Sequence, residues 1–83
     1  MRETSRKIFR ERLERMMKDK GINQTELATR TGISMPVISR YLSGQTEPRG
    51  SDLVMISVTL GASMDYLYGL DDIKYENWRK GRY

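Results

Sequence analysis

The 83-residue chain contains neither cysteine nor histidine. The first absence excludes disulfide bonds and agrees with a reducing cytoplasm. Together the two absences exclude the usual zinc sites and the Ser-His and Cys-His nucleophile pairs. The remaining Ser, Lys and carboxylate residues show no recognisable catalytic spacing. We therefore expect neither an enzyme nor a metal or cofactor site.

Long apolar segments are also missing from the chain. No run approaches the ~20 apolar residues of a membrane span, and the N-terminus lacks the pattern of a signal peptide. We expect a cytoplasmic protein with no membrane partner. The length predicts a single domain with a modest core.

Basic residues are in excess, but they are distributed unevenly. The net charge is +4 and the pI is about 9.6. Residues 1–20 carry eight Lys or Arg against four acids, whereas residues 21–48 carry two of each. A basic excess favours an anionic partner, and attraction to phosphates is the main sequence-independent contribution to DNA affinity. Basic charge thus lies beside the central segment more than on it, so we expect modest non-specific binding.

The most informative pattern occupies residues 23–44, which read as two short helices joined by a tight turn. Asn23 and Glu26 have the spacing of a capping box, which predicts a first helix over 24–30. Gly32 can adopt the positive φ that ends a helix. Ser34 can cap a second helix over 35–43, and Pro36 falls in its first turn, where a missing N–H costs little. The pattern predicts a helix-turn-helix unit.

Helical spacing of apolar residues continues on both sides of this unit. It predicts further helices over 5–20, 50–60 and 63–69, and no strand in residues 1–69. We interpret four methionines as core residues, namely Met16, Met17, Met55 and Met64. Each predicted helix is amphipathic and too short to persist alone, so all five must share one core.

These residues resemble the helix-turn-helix domain of phage Cro and repressor proteins and of the xenobiotic-response-element (XRE) class of bacterial regulators. The resemblance covers roughly residues 6–70. It implies an all-α, compact five-helix lambda-repressor-like DNA-binding domain over 1–70, followed by a short C-terminal tail over 71–83. The matching positions are Phe9, Arg12, Leu13, Gly21, Ile22, Gln24, Leu27, Ala28, Gly32, Ile33, Ser34, Ile38, Ser39, Arg40, Gly44, Pro48, Leu53, Ile56, Leu60, Ser63, Asp65, Tyr66, Leu67 and Gly69.

The resemblance also implies a function: a sequence-specific regulator of transcription that binds double-stranded DNA as a homodimer. A repressor of prophage or mobile-element type is the reading we favour. One alternative is an antitoxin that neutralises a toxin protein and represses its own operon, which an adjacent toxin-like reading frame would support. Another is a protein-interaction module that has lost DNA binding.

The expected reading helix is the second helix of the unit, because such a helix presents its N-terminal residues and one exposed face to base edges. Relatives often open it with Gln, whereas this chain has apolar residues suited to thymine methyl groups. Arg40 is the side chain there that can contact guanine bidentately, although it could instead bind a phosphate or pair with Glu47. The expected base-contacting set is Ser34, Met35, Pro36, Val37, Ser39 and Arg40. Met35 and Val37 could alternatively pack against a protein partner.

Two further groups complete the expected sites. The resemblance implies phosphate contacts at Asn23, Gln24, Thr25, Ser43, Gln45 and Thr46. A helix cap at Asn23 and a solvated turn after residue 42 are the alternatives. The expected dimer interface comprises Tyr66, Tyr75 and Trp78. The tail residues of that set could instead fold back on the domain.

Overall fold

Five α-helices follow one another in the structure, a computed structural model that describes residues 3–70. The helices are α1 (Glu3–Lys20), α2 (Gln24–Thr31), α3 (Met35–Leu42), α4 (Gly50–Leu60) and α5 (Met64–Tyr68). The described residues contain no strand. The prediction of an all-α, five-helix domain is confirmed, and the predicted bounds differ by at most two residues. Within the described range, no helix is both long enough and apolar enough to cross a membrane.

All five helices contribute to one hydrophobic core. Helix α1 packs against α3, α4 and α5, and α2 packs against α3 and α4. Near the centre, the rings of Phe9 and Tyr41 meet edge to face with their centroids 5.6 Å apart. Burial of these side chains supplies the main favourable contribution to folding, since each helix is too short to be stable alone. The buried hydrophobic residues are Phe9, Leu13, Met17, Ile22, Leu27, Ile33, Ile38, Tyr41, Leu53, Ile56, Leu60, Ala62 and Leu67.

The four methionines predicted to be core residues divide into two pairs. Met17 is buried and Met16 packs against the core, as expected. The prediction is wrong for Met55 and Met64, which are each 41% exposed. At about 100° per residue, Met55 lies well away from the face of α4 that carries the buried Leu53, Ile56 and Leu60. Residue type, and not the spacing of α4, led to the wrong prediction for Met55, because the spacing already places it off the buried face.

Candidate nucleic-acid interface

The start of α2 is fixed by its cap. Oδ1 of Asn23 accepts the backbone N–H of Glu26 at 2.8 Å. The Glu26 carboxylate bonds Nη2 of Arg30 at 2.6 Å, so this carboxylate is engaged along the helix. Its pairing with Arg30 also neutralises one of the two cations of the central unit.

The turn between α2 and α3 is closed by a buried threonine that the sequence analysis missed. Thr31 Oγ1 donates to the carbonyl of Leu27 at 2.7 Å and accepts the N–H of Ile33 at 3.2 Å. Gly32 adopts φ +76° and donates its N–H to the carbonyl of Ala28. A Thr directly before a helix-ending Gly is a local signal for such side-chain bonding. These bonds set the direction in which the chain enters α3.

The exposed face of α3 contains most of the residues expected to contact bases. Ser34, Met35, Pro36, Ser39 and Arg40 are exposed. Pro36 lies in the first turn, as predicted, and Ser34 occupies the cap position, but its side chain forms no capping bond.

Val37 departs from the expectation that it is exposed. It is half-buried and packs against the core. The reason is helical geometry, because Val37 lies one turn before the buried Tyr41 on the same side of α3. Of the six residues in the expected base-contacting set, Val37 is thus the one least available to a ligand.

The C-terminal end of α3 is tied to the start of α4. The hydroxyl of Tyr41 donates to Oδ2 of Asp52 at 2.6 Å and accepts the N–H of Arg49 at 3.3 Å. Burial raises the pKa of Tyr41, and the hydrogen bond to Asp52 raises it further. The neutral phenol is therefore the form that the fold stabilises. The sequence analysis did not reveal this polar contact.

The loop after α3 contains the second group of expected phosphate contacts. Ser43 and Gln45 are exposed, and Thr46 is half-buried. The loop is folded onto the helix end, because the carbonyl of Arg40 accepts both the Ser43 hydroxyl and the Gln45 N–H at 3.0 Å. Gln45 itself remains exposed to solvent in this turn. These residues follow α3 directly, so they border its exposed face.

Glu47, the alternative partner considered for Arg40, bonds another residue. The Tyr68 hydroxyl hydrogen-bonds to its carboxylate, and burial together with the negative charge of Glu47 raises the pKa of Tyr68. This contact ties the α3–α4 loop to α5. Arg40 is exposed on the surface of α3, where a base edge or a phosphate can reach its guanidinium.

At the start of α2, the three expected phosphate contacts differ in exposure. Asn23 and Thr25 are exposed and Gln24 is half-buried. Asn23 forms the cap that was weighed as its alternative role. Because α2 packs directly on α3, this helix start and α3 lie on adjoining elements.

Tyr66, one of three residues expected at a dimer interface, makes contacts within the domain. Its ring lies 4.6 Å from the guanidinium carbon of Arg12, and its carbonyl accepts a hydrogen bond from that group. The other two, Tyr75 and Trp78, lie outside the described residues. The sequence analysis missed three exposed apolar residues on one side of α4, Val54 (44% exposed), Met55 and Val58 (72%), and Met64 of α5 is exposed as well.

Comparison with known proteins identifies the same unit. A helix-turn-helix family profile matches residues 13–67, which run from the middle of α1 to α5. One relative is an uncharacterized HTH-type transcriptional regulator of Bacillus subtilis, YqaE. It is 37% identical over 60 residues, which are 72% of this chain and 52% of that protein. Another, of Haemophilus influenzae, carries the same description without a name. It is 36% identical over 59 residues, which are 71% of this chain and 24% of that protein.

The chain thus spans about half the length of the first relative and a quarter of the second. No solved structure gives a significant match. The segment that matches the family profile, residues 13–67, contains the whole of α2, α3 and α4.

Proposed function

We propose that this chain, which belongs to the Cro/repressor-type (XRE) helix-turn-helix family, binds double-stranded DNA in a sequence-specific manner and regulates transcription. The observation that carries this proposal is the exposed face of α3, a helix held rigidly at both ends. Thr31 closes the turn before it, and Tyr41 ties its last turn to Asp52. Rigid placement matters because base-edge contacts discriminate only when the side chains are held in register with the groove.

Base readout by α3 combines one charged group with an apolar patch. Arg40 is suited to the bidentate contact with O6 and N7 of guanine, and Met35 and Pro36 are suited to thymine methyl groups. Ser39 adds a hydroxyl that either donates or accepts. All four are exposed, which supports a role in contacting a ligand.

Phosphate contacts would flank this face on two sides. An α-helix leaves its first N–H groups without intrahelical partners, and the resulting positive end favours an anion. The Asn23 cap takes the N–H of Glu26, so those of Gln24 and Thr25 are available for a phosphate. On the other side, Gln45 and Thr46 offer amide and hydroxyl groups, and the Ser43 hydroxyl would have to leave the carbonyl of Arg40 to donate to a phosphate. Such contacts would set the position of α3 without reading sequence.

A homodimeric repressor is the form of regulator that we propose, of prophage or mobile-element type. A dimer that occupies an operator would block polymerase sterically. The exposed apolar side of α4, formed by Val54, Met55 and Val58, supports self-association, because small monomeric domains rarely leave clustered apolar side chains in water. A second copy of the same surface would bury it in a symmetric contact.

The test is selection from a random duplex library at about 100 mM salt, where phosphate contacts alone no longer dominate. We expect enrichment of an inverted repeat whose half-sites lie ~10 base pairs apart, the spacing of one helical turn. Recovery of a single half-site would contradict the dimer and leave DNA reading intact. Failure of well-folded protein to enrich any sequence would contradict the proposed function.

The same selection with Arg40→Ala tests whether the Arg40 side chain reads a base. We expect this variant to lose about 1–3 kcal/mol of binding free energy on the selected duplex and to relax preference at one base position. Arg30→Ala is the matched control, since Arg30 is paired with Glu26 on α2. An unchanged base preference in Arg40→Ala would exclude Arg40 from the readout.

A further inference from the structure

Helix α1 places an arginine against the loop that follows the reading helix. If Gly44 carried a Cβ, that atom would lie 3.5 Å from Cδ and 3.7 Å from Nε of Arg10. The α1–α3 contact that brings them together is anchored one residue earlier, where Phe9 packs edge-on against Tyr41. Arg10 is thus held beside the segment 43–46 by the core of the domain.

The loop between α3 and α4 carries its one positive charge at its far end, at Arg49 directly before α4. Residues 43–48 include no Lys or Arg, and one of them, Glu47, is acidic. A phosphate approaching Ser43, Gln45 or Thr46 would therefore meet hydroxyl and amide groups but no cation from residues 43–48. Arg10 is the α1 side chain that the structure places at this loop, and its guanidinium group is suited to bidentate phosphate binding.

Arg10 is currently engaged by two carboxylates of its own helix. Its Nη1 lies 3.3 Å from Oε1 of Glu14, and its Nη2 lies 3.8 Å from Oε2 of Glu11. The side chain of Arg10 is 31% exposed, whereas both glutamates are 55% exposed. Exposed pairs of this kind contribute little to stability. A phosphate can therefore compete with Glu14 for the guanidinium at little cost.

We propose that Arg10 is a phosphate-binding residue of the interface and that Glu14 competes with the DNA phosphodiester for its guanidinium. This inference rests on the proposed function and adds to it a site on α1, outside the helix-turn-helix unit. In the free protein Glu14 holds Arg10 along α1. On DNA, Arg10 reaches the phosphate that binds the loop at Ser43 and Gln45, and Glu14 is left to solvent.

The test measures non-specific affinity, which depends on phosphates and not on base sequence. A fluorescent duplex of about 30 base pairs and random sequence, roughly three helical turns, is titrated at several salt concentrations. We expect Arg10→Gln to reduce the slope of log K against log salt by about 0.9, the value for one phosphate contact. Glu14→Gln is expected to raise affinity about two- to threefold, and to have no effect in the Arg10→Gln background.

The chain offers a matched control on the same helix. Arg15 and Asp19 also form an i,i+4 pair, with Nε and Oδ2 3.9 Å apart, and Arg15 is 75% exposed. Arg15→Gln and Asp19→Asn alter net charge by the same amounts as the test variants. We expect both to change the slope much less. Arg10→Lys, which keeps the charge, should recover most of the slope and shows that loss of fold is not the cause.

The outcomes separate the two proposals. Equal slopes for Arg10→Gln and Arg15→Gln would overturn this inference, because net charge alone would then account for the loss. An affinity gain from Glu14→Gln that persists without Arg10 would overturn the competition. Absence of binding by the unmodified protein at low salt would overturn the proposed function itself, and the inference with it.

Discussion

Removing the hydroxyl of Tyr41 should loosen the end of the proposed reading helix. In Tyr41→Phe the ring keeps its edge contact with Phe9, while the bonds to Asp52 and the Arg49 N–H are lost. A hydrogen bond to a charged group contributes about 1.5–3 kcal/mol. Asp52 is half-buried and can regain some hydration, so we expect a loss of about 1–2 kcal/mol in the free energy of unfolding.

This loss is large for a small domain. With 68 described residues, from 3 to 70, total stability should be of the order of 3–10 kcal/mol. A loss of 1 kcal/mol lowers Tm by about 4–8 °C in domains of this size, so the variant should melt roughly 5–15 °C lower. Thermal and urea unfolding followed by circular dichroism measure both quantities. Hydrogen exchange at the end of α3 should rise as well.

A double-mutant cycle with Asp52→Asn isolates the bond from other effects. Asp52 also lies in the first turn of α4, where a negative charge is favourable, and that contribution cancels in the cycle. We expect a coupling energy of about 1 kcal/mol between the two positions. A coupling below about 0.3 kcal/mol would refute the argument that this bond ties α3 to α4.

The pH dependence follows from the raised pKa of Tyr41. Because the folded state favours the neutral phenol, its contribution is fully present below the unfolded pKa of about 10. It is lost as the pH rises through the higher folded pKa. The stability difference between the unmodified protein and Tyr41→Phe should therefore be constant near neutrality and shrink above about pH 10. A difference that grew at alkaline pH would contradict this assignment.

Two further predictions concern packing. Gly69 has φ +74°, and an added Cβ would lie 2.9 Å from Cγ2 of Ile8, so Gly69→Ala should cost about 2–4 kcal/mol in urea unfolding. Gly32→Ala, with φ +76° and open space, should cost only about 1 kcal/mol, and equal losses would exclude the contact with Ile8 as the cause. Val58→Asp should shift the protein from dimer to monomer in sedimentation while it stays folded by circular dichroism, because Val58 is 72% exposed, and the melting temperature should lose the dependence on protein concentration that a dimer confers. A variant that stays dimeric would place the interface elsewhere.

The helices and their ends were predictable because their signals are local. Apolar spacing, the Asn23 cap and the positive φ of Gly32 depend on residues within about one turn of each other. The same holds for the family resemblance, which uses the spacing of core and turn residues. Predicted bounds therefore agreed with the structure to within two residues.

Exposure was less predictable where it depends on packing between helices. Met55 and Met64 have the side chains of core residues but lie outside the shared core, and Val37 is half-buried although it borders the exposed face of α3. Within a single helix, the spacing of apolar residues shows which side of that helix is apolar. The neighbouring helices decide how wide the buried strip is.

By itself, the sequence determined the fold class, the helix-turn-helix unit and the composition of α3, the proposed reading helix, since each arises from short-range spacing and backbone preference. Only the tertiary structure decided which distant groups meet. Tyr41 bonds Asp52, the Arg12 guanidinium covers Tyr66, and Arg10 lies on the loop at Gly44. Such contacts depend on how helices from separate parts of the chain pack on one core, and no local pattern encodes that arrangement.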